Sequence, residues 1–339
     1  MISVLVIVSF LLSVCLTRMF MSPSSWFRVM DHPNERSLHT TPIPRGGGVA
    51  ILATFFIVIG MAFFFEGIVV NPLLLFCALL IAVISFLDDC YSLSASLRLA
   101  VHFCAAILLV SNGFELMVLE LPAAIWQWPS FIALFVSALF VVWSINLYNF
   151  MDGMDGFSAG MAILGFSCFA VLGWQADHHS FMVANLALVG AVAGFLWFNF
   201  PPAKIFMGDV GASTLGFCMA AFSLWASVDE IFPIWVAVLI FSPFIVDASV
   251  TLLRRFLSGE LVWKAHKRHF YQRLVQLGWG HRKTVLYAYL LMLLCGLSSW
   301  FAMQMSVGFQ WIILLIWIVI YFSIIVGITR LERQCLAGK

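Results

Sequence analysis

Apolar runs long enough to cross a bilayer recur from one end of this chain to the other, and nothing constrains its fold more. A spanning helix needs about 20 mostly apolar residues. Such runs fall near 2–20, 47–65, 69–87, 98–112, 130–148, 158–174, 181–198, 211–228, 231–253, 284–303 and 308–329. The pattern predicts an all-α, polytopic membrane protein of about eleven transmembrane helices. The fourth run is the shortest and holds His102. Composition agrees: 63% of the 339 residues are hydrophobic and 10% charged, against roughly 25% charged in a soluble domain. A soluble fold, a disordered chain and a disulfide scaffold are excluded. With no repeat and no low-complexity tract, residues 1–339 read as a single integral membrane domain. The first run lacks a basic n-region and a small-residue cleavage site, so it is expected to be retained.

Charge sets the expected orientation. All 17 Lys and Arg residues lie between, or at the facing ends of, the first and second, third and fourth, seventh and eighth, and ninth and tenth runs, or in the tail. They include Arg18, Arg28, Arg36, Arg45, Arg98, Lys204, Lys264 and Lys339. The intervening loops carry Glu66, Glu115, Glu120, Asp177, Asp229 and Glu230 and no base. By the positive-inside rule the odd-numbered loops and the tail are cytoplasmic and the N-terminus lies outside. A net charge of +1 points to no nucleic-acid partner. The eight cysteines form no Cys-x-x-Cys pair, and six sit in apolar runs as small packing residues.

Four polar clusters interrupt the apolar pattern. Asp88 and Asp89 are adjacent at the end of the third run; two carboxylates there are costly unless a cation offsets them. From the end of the fifth run onward, Asn146, Asn149, Asp152 and Asp155 lie within ten residues, with Gly153 and Gly156 at the Asp-Gly steps. Asp-Gly marks tight turns, and the oxygens are hard donors suited to Mg²⁺. Between the seventh and eighth runs, Lys204 offers positive charge, with Phe206 and Asp209 close behind it at the start of a helix. After the ninth run, His266 and His269 stand in a basic loop three residues apart, on one face if the segment is helical; anion contact or proton handling suits them better than zinc.

All four clusters fall in odd-numbered loops, hence on one face of the membrane. Acids, amides, bases and histidines gathered there suit Mg²⁺ and a phosphorylated substrate, with apolar helices beside them to take a lipid tail. Asp247 is the one acid within a run; it either supports the site or takes part in it. Arg254, two turns further on, is too far to pair with it directly. Gly46, Gly47 and Gly48 could present backbone N–H groups to an anion, but no P-loop ending follows.

Pro44-Arg45-Gly46-Gly47-Gly48, Asp88-Asp89, the stretch from Asn149 to Gly156, Phe206-Met207-Gly208-Asp209 and the His-rich loop occur in one order. This ordered set resembles the polyprenyl-phosphate N-acetylhexosamine-1-phosphate transferases, glycosyltransferase family 4. The resemblance covers nearly the whole chain. It implies a Mg²⁺-dependent reaction of undecaprenyl phosphate with a UDP-N-acetyl sugar, giving a sugar-diphospho-lipid and UMP, in a bacterial inner membrane with the site facing the cytoplasm. It implies that Asn149 and Asp209 are linked to the metal and that Asp88 and Asp89 activate the lipid phosphate or bind metal. It also implies that Phe206 and the stretch Asp152 to Asp155 contact nucleotide, and that His269 opens the His-rich loop. Arg98, Lys204 and the basic loop with His266 are candidates for the phosphates, and Asn146 for substrate. Where relatives in peptidoglycan and enterobacterial antigen synthesis carry further histidines, this chain has Tyr271 and Gln272, a departure that resembles the O-antigen branch and lipopolysaccharide synthesis. A homodimer is compatible with this expectation. The competing expectation is a membrane transporter for an anionic metabolite, which would place charges near mid-membrane.

Overall fold

The computed structural model of the protein describes residues 2–22, 29–33, 38, 41–261 and 266–337. Arg28, Arg36, Lys264 and Lys339 of the charge argument lie outside the described residues.

Each apolar run is helical. In chain order the helices are α1 (Ile2–Met21), α2 (Gly47–Glu66), α3 (Pro72–Tyr91), α4 (Ala95–Val110), α5 (Ser130–Met151), α6 (Phe157–Gln175), α7 (His179–Asn199) and α8 (Gly208–Val228). There follow α9 (Ile234–Ile240), α10 (Ser242–Leu257), α11 (Phe270–Leu274), α12 (Gly280–Ala302) and α13 (Val307–Ala337). Among the described residues nine helical segments are long and apolar enough to cross a membrane, with α11 and α12 counted together as one. The ninth run is instead two helices bent by 79°, and the fourth is the short α4. Two antiparallel hairpins complete the chain: β1 (Val29–Asp31) with β2 (Ile43–Arg45), and β3 (Val118–Leu121) with β4 (Ala124–Gln127).

Local chemistry sets the ends. Asn71 Oδ1 accepts from Leu73 N–H at 2.9 Å and Pro72 opens α3, since proline needs no donor in a first turn. Ser94 Oγ accepts from Leu97 N–H at 3.3 Å at the start of α4. Two boundaries differ from the sequence expectation. α5 continues past its run to Met151, so Asn149 is helical as well as Asn146 and only the residues after them turn. α13 extends past its apolar run to Ala337, because polar residues with good helix propensity carry it on.

α8 is the axis of the bundle, with 94% of its apolar window buried. Small residues permit this, since without a hydrophobic drive between helices in lipid, close backbone packing does the work. A Cβ on Gly48 would stand 2.1 Å from Gly211 N, and one on Gly216 2.6 Å from Ser144 O, so α8 touches α2 and α5 backbone to backbone. α1 closes against α7 in the same manner: Ser9 Oγ donates to Ala187 O at 2.8 Å and Ser13 Oγ donates to Ala191 O. The result brings the C-terminal ends of α3, α5 and α7 and the N-terminal ends of α2, α4, α6 and α8 to one end of the bundle, where the polar clusters converge.

Candidate active site

An acidic corner forms where α3, α4 and α8 meet. Asp88 and Asp89 occupy the last turn of α3 and Asp209 the first turn of α8. Arg98 Nη1 donates to Asp88 Oδ2 and lies 3.3 Å from Asp209 Oδ2. Asp88 Oδ1 accepts from Leu93 N–H at 2.7 Å, which fixes the carboxylate beside its helix end. Asp89 Oδ2 accepts from Val210 N–H at 3.4 Å, and Oδ1 lies 3.5 Å from Arg45 Nη1. Arg45 is held in turn by Asp31 at 2.8 Å, across the β1–β2 hairpin. Gly208 adopts φ +74°, a left-handed turn that glycine makes without strain; a Cβ there would stand 2.9 Å from Asp89 Oδ2. The corner thus needs Gly208 for both its turn and its space.

A polar cavity of about 220 Å³ opens beside this corner, lined by Asp152, Asp155, Phe206, Asp209, Gln272 and His281 among others. Asp155 Oδ2 accepts from Ala203 N–H at 3.0 Å and faces His281 Nδ1 at 3.2 Å. Asn199 clamps the cavity floor: its Oδ1 accepts from Gly156 N–H at 2.9 Å and its Nδ2 donates to Ile205 O at 2.8 Å. Burial pushes the carboxyl of Asp152 up to about 7, against the opposing pull of a Ser158 hydrogen bond and Arg45. Asn149 Nδ2 donates to Ser213 Oγ at 3.2 Å. Ser213 lies one turn after Asp209 on α8, so Asn149 stands beside the acidic corner.

The His-rich segment forms the next wall. Asp247 accepts from Phe270 N–H at 3.0 Å and Tyr271 N–H at 3.1 Å, and its Oδ1 lies 3.1 Å from His269 Nδ1. A buried carboxylate thereby caps α11 and orients the imidazole. His266 and His269 do not share a helical face, because the chain is irregular there, yet their rings lie 4.8 Å apart. Burial first, and His269 beside it, push the His266 imidazole down to about 4. Behind α11 lies a second cavity of about 440 Å³, lined chiefly by apolar side chains of α10, α12 and α13 together with Tyr271. Tyr271 OH donates to Phe150 O at 3.4 Å, so one short helix separates a polar chamber from an apolar one.

The donor set suits Mg²⁺ in a specific sense. Among the described residues no group of three His, Cys, Asp or Glu is arranged to hold a metal alone. Mg²⁺ commonly takes one or two protein carboxylates and completes its shell with water and substrate phosphates. The carboxylate of Asp209, the amide oxygen of Asn149 and Asp89 Oδ1, which is buried with Arg45 at 3.5 Å but no hydrogen bond among the described residues, are the oxygens that fit that demand.

Other expected residues stand elsewhere. Asn146 Nδ2 donates to Val142 O within α5, at 2.7 Å, and neither it nor the exposed Lys204 lines the cavity. His266 does not line it either. The glycine run presents no free anion nest: Gly47 N–H and Gly48 N–H donate to Phe206 O and Met207 O at 3.1 and 2.8 Å, which docks α2 on the loop before α8. Sequence reading passed over Asp31, Asn199, Gln272 and His281 as site residues, and saw Arg45 only within a motif. A basic residue beside three glycines was the one signal for Arg45, and the departure from histidine the one signal for Gln272; Asp31, Asn199 and His281 had none.

Comparison with known proteins bears on the family of the chain. Residues 71–227 match the family described as Glycosyl transferase family 4. The chain is 29% identical over 311 residues to the probable undecaprenyl-phosphate N-acetylglucosaminyl 1-phosphate transferase of Bacillus subtilis, covering 90% of this chain and 86% of that protein. It is 31% identical over 293 residues to the decaprenyl-phosphate N-acetylglucosaminephosphotransferase of Mycobacterium leprae, covering 76% and 73%. It is 30% identical over 345 residues to the phospho-N-acetylmuramoyl-pentapeptide-transferase of Mycobacterium ulcerans, covering 88% and 94%. With its spanning helices gathered around one polar corner, the chain belongs to glycosyl transferase family 4, among the membrane-embedded polyprenyl-phosphate N-acetylhexosamine-1-phosphate transferases.

Proposed function

We propose that the protein transfers an N-acetylhexosamine 1-phosphate from a UDP-sugar to undecaprenyl phosphate on the cytoplasmic face of a bacterial inner membrane. The products are a sugar-diphospho-undecaprenol and UMP, and the step begins assembly of O-antigen or another envelope glycan. One observation carries the reading: a carboxylate-rich polar cavity stands back to back with an apolar one, across α11. A reaction joining a water-soluble nucleotide sugar to a lipid phosphate needs both chambers in contact.

The chemistry follows from the charges. A phosphate oxygen of the lipid attacks the phosphorus bonded to the sugar; the bond from that phosphorus to the UMP oxygen breaks, and UMP leaves with the electron pair. The sugar carbon–oxygen bond stays intact, so anomeric configuration is retained. Two anions must meet, so positive charge has to screen them. Arg98 and Arg45 supply it from the protein, each already poised among carboxylates. Bound Mg²⁺, held by Asp209 with Asn149, would add charge neutralisation at the diphosphate. A phosphate monoester has a second pKa of about 6 and is mostly ionised at neutral pH, so Asp88 and Asp89 serve to position Arg98 and Arg45 rather than to remove a proton. His269, held by Asp247, caps the start of α11, the short helix between the chambers.

The test is purified protein with undecaprenyl phosphate, Mg²⁺ and a panel of UDP-sugars, reading UMP. Release that requires both lipid and metal supports the reading; no release with any donor overturns it. A transporter would draw on the α9–α10 bend, but the residues there, Ser242, Cys295 and Tyr321, are uncharged and bond one another.

A further inference from the structure

His281 stood out in no sequence motif, yet the fold delivers it to the polar cavity. Gly278 and Gly280 take φ +89° and +68°, conformations that favour glycine, and this double turn swings the start of α12 back over the site. His281 is the second residue of that helix, and its side chain is 19% exposed. Its Nδ1 lies 3.2 Å from Asp155 Oδ2, and that same oxygen accepts from Ala203 N–H at 3.0 Å. Asp155 is therefore fixed before His281 meets it, and it fixes the imidazole in turn. With Nδ1–H donated to a carboxylate, Nε2 of the neutral ring is an acceptor left to a ligand. Eight residues further on, Tyr289 OH donates to Gly156 O at 2.6 Å. α12 is thus pinned to the same turn twice, once inside the cavity wall and once outside it.

We infer that His281 is a substrate-binding residue that reads an uncharged donor of the nucleotide sugar: Nε2 accepts a hydrogen bond from the imide N–H of the base or from an N–H or O–H of the sugar. The inference rests on the proposed transfer reaction. It gives Asp155 a definite task, to hold the ring so that the acceptor faces the ligand. His281 acts on binding, since the acidic corner of Asp88, Asp89 and Asp209 supplies the reacting end.

The experiment compares full-length wild-type protein with His281→Ala, His281→Gln and Tyr289→Phe, in lipid nanodiscs with Mg²⁺. Equilibrium binding of UMP and of the accepted UDP-sugar is measured, together with KM for the sugar donor and for undecaprenyl phosphate. His281→Ala is expected to weaken the UDP-sugar by roughly tenfold, the factor for about 1.4 kcal/mol, the scale of one lost hydrogen bond. KM for the lipid is expected to hold. His281→Gln keeps an acceptor and is expected to recover part of the loss, while Tyr289→Phe behaves as wild type. If UMP weakens in parallel, the donor is the base; if UMP is unaffected, it is the sugar. Wild-type affinity in His281→Ala, or an equal loss in Tyr289→Phe that marks a loosened helix, overturns the inference and leaves the transfer reaction standing. Wild-type protein that binds neither nucleotide overturns both.

Discussion

Arg98 Nη1 lies 3.3 Å from Asp209 Oδ2, although 111 residues separate the two in sequence. The same nitrogen holds Asp88. One guanidinium therefore ties α4 to both acid-bearing helices, and its charge lies where two phosphates would have to approach. Arg98→Ala is expected to lower kcat/KM for UMP release by about 10²–10³, the scale for removing one preorganised charge partner. Arg98→Lys should recover only part, since an ammonium is a point charge and cannot serve two carboxylates with a planar fork. Steady-state assays in nanodiscs check both, and wild-type turnover in Arg98→Ala would remove the residue from the site.

Metal removal should silence the enzyme reversibly. Chelation with EDTA is expected to stop UMP release and added Mg²⁺ to restore it. Asp209→Asn keeps the shape but removes the charge, and should lose about 10³ in kcat with a raised Mg²⁺ requirement. Full turnover in that variant would show that the metal sits elsewhere.

Asp152 should make stability depend on pH. Burial raises its carboxyl from 3.8 to about 7 in the folded chain, so the fold holds this proton more tightly than the unfolded chain does. Stability from this group is then full below the unfolded value and is lost as pH rises through about 7. Asp152→Asn cannot ionise and is expected to flatten the fall. Thermal unfolding of both proteins in detergent between pH 5 and 8 measures it; parallel curves would assign the slope to other groups.

Gly48→Ala tests the helix crossing. A Cβ at this position meets Gly211 N at 2.1 Å, and backbone cannot yield as a side-chain tip can. Overpacking of this kind costs about 1–3 kcal/mol or more. The variant is expected to unfold at lower temperature in detergent, and unchanged stability would mean that α2 and α8 can part cheaply.

The Asp247 cap offers a fifth check. Asp247→Ala removes the acceptor for Phe270 N–H, Tyr271 N–H and His269 Nδ1 together. Loss of an N-cap alone costs about 1 kcal/mol. Limited proteolysis around α11 is expected to speed up and UMP release to fall. An unchanged cleavage pattern would show that α11 holds its place without the carboxylate.

The sequence disclosed the acids because carboxylates beside apolar runs are expensive and so conspicuous. Asp88, Asp89, Asp152, Asp155 and Asp209 were readable for that reason, and each meets its neighbours at one end of the bundle. It disclosed the helices because their length is set by the bilayer. What it hid depends on convergence. Arg254, two turns along the same helix, was too far to pair with Asp247, and the partners that tie Asp247 to another element sit 22 to 24 residues on, in α11 and just before it. Arg45 was overlooked beside glycines whose N–H groups proved to be committed elsewhere. His281 lay in a basic loop, where nothing in composition separates a cavity residue from one that touches headgroups. The 79° break between α9 and α10 was passed over in a long apolar run, although Pro243 in the first turn of α10 marks it.

α8 carries Asp209, and nearly all of that helix is enclosed by others. Such a helix works as an anvil: it has no lipid-facing side on which sequence can drift freely, and no loop through which its acid can be re-aimed. Substitutions that retune donor choice are therefore expected at the rim, in the hairpin that bears Arg45 and in the turn that bears His281, whereas changes along α8 are expected to disturb the packing around it.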